Sequence, residues 1–257
     1  MESKDNAKST VVSLKRLPGQ ALREERNRLI EEQINDPLVI ALCGFVFFVI
    51  ECFHVFSPLE PSIWIGAIAA VVTILYAGHK CLAARKKLHN IRKGEEGERI
   101  VARAIEDNLL SQGYKVVHDI QFTNNRSVFN IDHLIIGKNG IFVVDSKNNM
   151  KPKSGGAVVT YDGKRLYWNG KLHEHDEIAQ VKSAANNAKE YIARKTGLQL
   201  NVRPVVCAVG WCANSSSLYR NPVLLVMEKT IGTVIPRVRT DRSLTEEEQK
   251  SIYWAFN

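Results

Sequence analysis

The sequence predicts an α/β domain, a mixed sheet flanked by helices, preceded by a transmembrane hairpin of two helices. Three observations lead there: two long apolar runs early in the chain, short apolar segments with period-2 alternation in its middle, and amphipathic helical patterns on either side of them. At 257 residues and 45% hydrophobic, the chain suffices for one main core plus an accessory region and is too apolar for a disordered protein. The five cysteines, Cys43, Cys52, Cys81, Cys207 and Cys212, have neither metal-ligand nor disulfide-framework spacing. They read as apolar side chains in a reducing compartment.

Residues 37–56, PLVIALCGFVFFVIECFHVF, and 61–79, PSIWIGAIAAVVTILYAGH, each have the length that crosses a hydrocarbon core of about 30 Å as a helix. The connector SPLEPS is short and rich in proline, so the pair must turn back tightly. It holds no Lys or Arg, whereas Lys15, Arg16, Arg23, Arg26 and Arg28 precede the hairpin and Lys80, Arg85, Lys86, Lys87, Arg92 and Lys93 follow it. That asymmetry predicts a two-pass membrane protein with both termini cytoplasmic. Glu51 falls near the far end of its span, within reach of the interface, and is given no transport role. The net charge of +8 and pI near 9.2 call for a polyanionic neighbour, nucleic acid or an acidic lipid surface. Because residues 80–93 carry six cations and no acid, anionic headgroups are one such partner.

The expected organisation is therefore a cytoplasmic N-terminal segment over 1–36, a helical hairpin over 37–83, a basic juxtamembrane linker over 84–93 and a folded domain over 94–257. The first segment can form an amphipathic helix from near Pro18, with Leu22, Leu29 and Ile30 on its apolar side. The folded domain holds 22 basic and 18 acidic residues, a balance too mild to argue for nucleic acid alone.

Within that domain, GEEGERIVARAIEDNLLSQG reads as a helix from about 95 to 110 stopped by Gly113, and YKVVHDI as a first strand. NIDHLIIGKNGIFVVDSK reads as a hairpin around a glycine turn, and AVVTYDGKRLYW as a second one turned at Asp162-Gly163. DEIAQVKSAANNAKEYIARKTG is an alanine-rich helix with Asp176 as N-cap and Gly197 past its end. VRPVVCAVGW and PVLLVM are later strands, and SLTEEEQKSIYWAF is a closing helix with a capping box of Ser243 and Glu246.

The first hairpin puts charges where its strands should be dry. Side chains alternate across a strand, so Asp132 shares a face with Leu134 and Ile136, and Asp145 and Lys147 share a face with Ile141 and Val143. If Lys138-Asn139 is the turn, Asp132 stands opposite Asp145. If Asn139-Gly140 is the turn, as the type I′ preference favours, Asp132 faces Lys147 and Asp145 is diagonal. Either register gathers all three groups on one face. Two carboxylates so close repel each other, and a divalent cation with a taste for carboxylate oxygens, such as Mg²⁺, relieves that repulsion. Lys147 could then orient or deprotonate an attacking water, or offset charge on a phosphate. The plainer reading is a solvated polar end of an amphipathic hairpin. Glu98 lies one and two turns before Ala102 and Ile105 and so faces the core, where a first-turn glutamate also suits the helix dipole. Gln180 shares a stripe with Ala184, Asn187 and Tyr191.

The series G94-E-E-G-E98-R-I-V, N130-I-D132-H-L-I-I-G, G140-I-F-V-V-D145-S-K147 and Gln180 in an alanine-rich helix resembles the nuclease-related domain family, NERD, over about residues 94 to 210. The family is assigned to the restriction-endonuclease-like, PD-(D/E)xK superfamily, whose core is a mixed sheet flanked by helices. The resemblance implies Mg²⁺- or Mn²⁺-dependent hydrolysis of phosphodiester bonds. By it, Asp132, Asp145 and a carbonyl near Ser146 hold the metal, Lys147 prepares the water, Glu98 assists the metal or its waters, and Gln180 is the glutamine of the following helix. The family more often has Glu at the place of Asp145. His133 points to the face opposite Asp132, and His173 and His175 form an H-x-H on a loop without evident further zinc ligands.

The reading is thus a membrane-anchored, metal-dependent nuclease acting on nucleic acid, DNA first, on the cytoplasmic side. The alternative is a non-catalytic module of the same fold that binds nucleic acid or a protein at the membrane. A transporter role ranks last, since two spans line no path.

Overall fold

The computed structural model describes residues 10–13, 16–53, 63–124, 127–152, 154–172, 176–214, 220–238 and 242–257. The connector SPLEPS and the H-x-H of His173 and His175 lie outside them. The chain divides into two compact units, one of residues up to Gln20 and from Gly94 onward, the other Ala21–Lys93.

The second unit is helical. Helix α1, Gln20–Ile30, continues through a π-helical turn, Glu31–Asn35, into α2, Asp36–Phe53, and α3, Ile63–Leu109, belongs to this unit up to Lys93 and to the first unit from Gly94. Gly44 and Gly66 let α2 and α3 approach closely: a Cβ at Gly44 would overlap the Thr73 side chain, and one at Gly66 would come within 3.1 Å of Phe48 Cα. Ala70, Ala77 and Ala84, spaced by sevens, form a buried seam, while Leu38, Phe45, Phe47, Ile50, Trp64, Ile68, Val72 and Leu75 point outward. Two of these helices are long and apolar enough to cross a membrane. The basic stretch at 84–93, read from the sequence as a linker, is helical inside α3. Its Lys and Arg residues are good helix formers, and no proline interrupts them.

In the first unit, the mixed sheet flanked by helices is as the sequence predicts. Strand β1, Thr10–Ser13, pairs antiparallel with β2, Lys115–Asn124. Beyond β2 come β3, Ser127–Gly137, and β4, Gly140–Lys147, both antiparallel. Three short strands follow in the chain: β5, Val158–Tyr161, β6, Leu166–Trp168, and β7, Lys171–Leu172. Helix α4, Glu177–Thr196, then crosses back so that β8, Val202–Ala208, lies parallel to β4. Strand β9, Cys212–Asn214, joins β5 to complete a second, four-stranded sheet, which the sequence reading did not expect. Strand β10, Leu224–Val226, closes the six-stranded sheet beside β8. Helices α5, Ile231–Val234, and α6, Glu246–Ala255, end the chain.

The 1–36 segment is not one piece: β1 is an edge strand of this sheet, and the chain up to Gln20 belongs with it. The capping box of α6 is Thr245 with Glu248, two residues later than Ser243 with Glu246. Both pairs fit the motif, but Leu244 is buried and its N–H donates to Lys138 O, which keeps the chain out of the helix until Thr245. Asp176 and Gly197 cap α4 as anticipated, with Asp176 accepting from Ala179 N–H and Gly197 at φ +74.

The hairpin register pairs Gly137 with Gly140 across a Lys138-Asn139 turn, against the type I′ preference for Asn139-Gly140. The turn is held from outside. The Tyr114 hydroxyl donates to Asn139 Oδ1 at 2.8 Å, and Asn139 Nδ2 donates to Ile235 O at 2.7 Å. The Tyr114 ring also lies against Gly137, where an added Cβ would overlap it. Gly137→Ala should therefore cost about 1–3 kcal/mol by overpacking. Thermal unfolding of the variant checks this, and an unchanged Tm would contradict the register's dependence on Tyr114.

The sheet separates two cores. Leu134, Ile136, Ile141 and Val143 pack with Ile178, Val181 and Ala185 of α4, and Ile135, Phe142 and Val144 pack with Val101, Ile105 and Leu109 of α3. One residue of register therefore decides which core every side chain of β3 and β4 enters.

Candidate active site

Asp132 follows the α4-facing parity of Leu134, and Asp145 and Lys147 follow that of Val143, at the end of the strands away from the turn. Asp145 is only 8% exposed, and Lys147 Nζ stands 2.9 Å from its Oδ2. That buried oxygen is thus ion-paired with the lysine head. Asp132 Oδ2 accepts the Ser146 N–H at 2.7 Å. Lys147 Nζ also donates to Gln180 Oε1 at 3.0 Å, so the amide on the exposed flank of α4 reaches the lysine head. Glu98 is buried on α3 in line with Ala102 and Ile105. The five residues singled out in the sequence thus fall in one neighbourhood.

The electrostatics follow from burial. Loss of solvent, then the neighbouring Asp145 charge, pushes the Asp132 carboxyl up to about 7. Burial also raises Asp145, against the pull of Lys147. Glu98 is pushed up to about 9 by burial, then by Asp132 and Asp119, although a Gly19 N–H bond works the other way. Burial by itself disfavours the Lys147 ammonium, but Asp145, Asp132 and Glu177 outweigh it and hold the lysine above its ordinary value. Lys147 is therefore a cation in this arrangement, a donor rather than a base.

Several residues here were missed in the sequence. Asp119 lies between His118 and Ile120, which pair with His133 and Ile131, so it stands across from Asp132. It is buried at φ +48, a left-handed conformation that few residues other than Gly tolerate, and accepts a 3.0 Å hydrogen bond from Arg16 Nε. An acid in the apolar run YKVVHDI was a legible signal for Asp119. Arg16, 103 residues away, carried none. Glu177, at the start of α4, is buried and accepts from Trp168 Nε1 at 2.9 Å.

Behind the site, on the α3 side, runs a chain of hydrogen bonds. Ser146 Oγ is 3.0 Å from His133 Nε2, His133 Nδ1 is 2.8 Å from His118 Nδ1, and His118 Nε2 is 3.1 Å from Glu106 Oε1. Burial holds both imidazoles below their ordinary value, and with neutral rings the direction is fixed. The Glu106 carboxylate accepts from His118 Nε2–H, His118 Nδ1 accepts from His133 Nδ1–H, and His133 Nε2 accepts the Ser146 hydroxyl. Ser146, whose N–H holds Asp132, is so anchored from the opposite face. The expectation that His133 points away from Asp132 agrees with this.

Among the described residues, no three His, Cys, Asp or Glu side chains converge as a ready metal cage. The donor set fits a hard cation that keeps much of its water shell: two buried carboxylates on adjoining strands, both disfavoured as bare anions.

The domain is thus a mixed sheet flanked by helices, with an Asp, Asp and Lys cluster at the ends of adjoining strands. Residues 93–209 match the family described as NERD, nuclease-related domain. Among solved structures, the chain is loosely similar to Can2 from Sulfobacillus thermosulfidooxidans, in complex with cyclic tetra-adenylate, at 9% identity and a TM-score of 0.30. That alignment covers 96% of this chain and 57% of that one, so the present chain spans little more than half of its length. No curated protein matches.

Because Asp132 holds its proton more tightly folded than unfolded, its contribution to stability is full below about pH 4 and is lost as pH rises through about 7. Asp132→Asn should flatten that part of the profile and stabilise the metal-free protein at pH 8 by on the order of 1–2 kcal/mol. Thermal melts in chelator from pH 5 to 8 test this, and a variant no more stable than wild type at pH 8 would contradict the assignment.

Proposed function

We propose that the chain is a membrane-tethered, divalent-metal-dependent nuclease that hydrolyses phosphodiester bonds of nucleic acid, DNA first, on the cytoplasmic side. The observation that carries this reading is the convergence of Asp132, Asp145 and Lys147 at one end of the β3–β4 pair, within a nuclease-related domain. Asp132 and Asp145 would hold Mg²⁺ or Mn²⁺, with Glu98 beside them. Bound there, the ion would supply a Lewis acid that withdraws charge from the phosphate and acidifies an attacking water.

The chain's own residues supply the rest. Lys147, kept as an ammonium and steadied by Gln180, offsets charge on a phosphate oxygen or orients the water by donating to it. Glu98, pushed up to about 9 without metal, is protonated at neutral pH and can donate a hydrogen bond. Ser146 keeps Asp132 in place through its N–H.

Membrane tethering is supported by the outward-facing large apolar side chains of α2 and α3, which a soluble helical pair would bury. The cation-rich flanks support cytoplasmic termini and contact with anionic headgroups.

Purified full-length protein incubated with plasmid, single-stranded DNA and RNA should cut at least one of them in Mg²⁺ or Mn²⁺ and none in chelator. Asp145→Ala and Lys147→Ala should each lower cleavage by about a hundredfold or more. If wild type cuts nothing, or these variants cut as well, the catalytic reading fails and a binding module on the same fold is left. Metal binding should strengthen as pH rises through about 7, because Asp132 must lose its proton first. Calorimetric titration with Mn²⁺ at pH 6 and 8 reads that slope, and equal affinity at both would contradict it. A reporter fused after Asn257 should be found inside the cell, and its appearance outside would overturn the topology.

A further inference from the structure

The match to the nuclease-related domain begins at residue 93, yet the structure brings a much earlier stretch to the same site. Strand β1 extends the sheet at β2. The chain then carries Arg16 to Asp119, a pair whose side chains are only 7% and 2% exposed. Gly19, at φ +72 and close against Glu95, bonds Glu98 through its N–H. This strap therefore touches two acids of the neighbourhood, Asp119 and Glu98, and Asp119 stands across the β2–β3 ladder from Asp132, where neighbouring Cα atoms are about 5 Å apart.

We propose that the strap made by Thr10–Ser13 and residues 16–20 is a working part of the catalytic site, with Arg16 the positioning residue that holds the Asp119 carboxylate away from the cation held by Asp132 and Asp145. This rests on the metal-binding reading above. A site of two carboxylates leaves a small divalent cation room for waters and phosphate oxygens. A third carboxylate would hold the ion more tightly and take a place the substrate needs. Arg16 prevents this by engaging the Asp119 carboxylate in a buried ion pair.

The test is Mn²⁺ titration of the full-length chain, following the signal of the free ion by electron paramagnetic resonance, with melts and cleavage kinetics alongside. Arg16→Gln should bind Mn²⁺ about tenfold more tightly and cleave with a lower kcat. Arg16→Lys, which keeps the charge, should stay near wild type. Adding Asp119→Asn to Arg16→Gln should return the affinity to the wild-type value. If Arg16→Gln does not fold, Gly19→Ala, which strains the strap without removing a charge, should give the same tightening, again cancelled by Asp119→Asn. A lower Tm with unchanged or weaker Mn²⁺ affinity would make the strap merely structural and overturn the proposal. Absence of Mn²⁺ binding by the wild type would reject the metal reading and this one with it, whereas binding that neither strap variant alters rejects this one alone.

Discussion

Asp132 and Asp145 repel each other at the end of two adjoining strands, in a place where neither is well solvated, and most of the surrounding architecture answers that repulsion. Lys147 sits against Asp145, Ser146 lends its N–H to Asp132, and Arg16 neutralises the third acid, Asp119. Among the described residues Glu98 has no such cation, and burial shifts it toward its neutral form. Together they describe a basin of negative charge only partly compensated from within, which is the electrostatic condition for recruiting an external cation.

Rigidity comes from the far side of the sheet. Strand parity sends His133 and Ser146 toward α3 while Asp132 and Asp145 go the other way, so a buried hydrogen-bonded row steadies the backbone from which the two carboxylates project. The same parity explains why the turn is held so firmly by Tyr114 and Asn139. A slip of one residue would exchange the contents of the two faces.

Much of this was readable in the chain. Asp132, Asp145 and Lys147 stand out because local alternation along a strand is a short-range property, and a hairpin converts it into a shared face whatever its exact turn. Glu98 and Gln180 follow from helical periodicity in the same way. The choice between the two turns was not readable, because it depends on Tyr114 and on Ile235 O, groups distant in sequence. The Arg16–Asp119 contact and the β1 edge were invisible for the same reason. The capping box shifted by two residues because two overlapping motifs competed, and the burial of Leu244 decided between them.

The nuclease-like unit is discontinuous in the chain: its strap ends at Gln20 and its body resumes at Gly94, with the helical hairpin inserted between. Gly19 packs against Glu95, so the two ends of that insertion meet. The insertion thereby acts as a closed loop that keeps the strap close to β2 and Asp119. Loop-closure cost grows only slowly with length, by about 0.6 kcal/mol per doubling for a flexible linker. A helical insertion whose ends already lie together reduces even that cost, so it also keeps the strap, and with it Arg16, in attendance at the site.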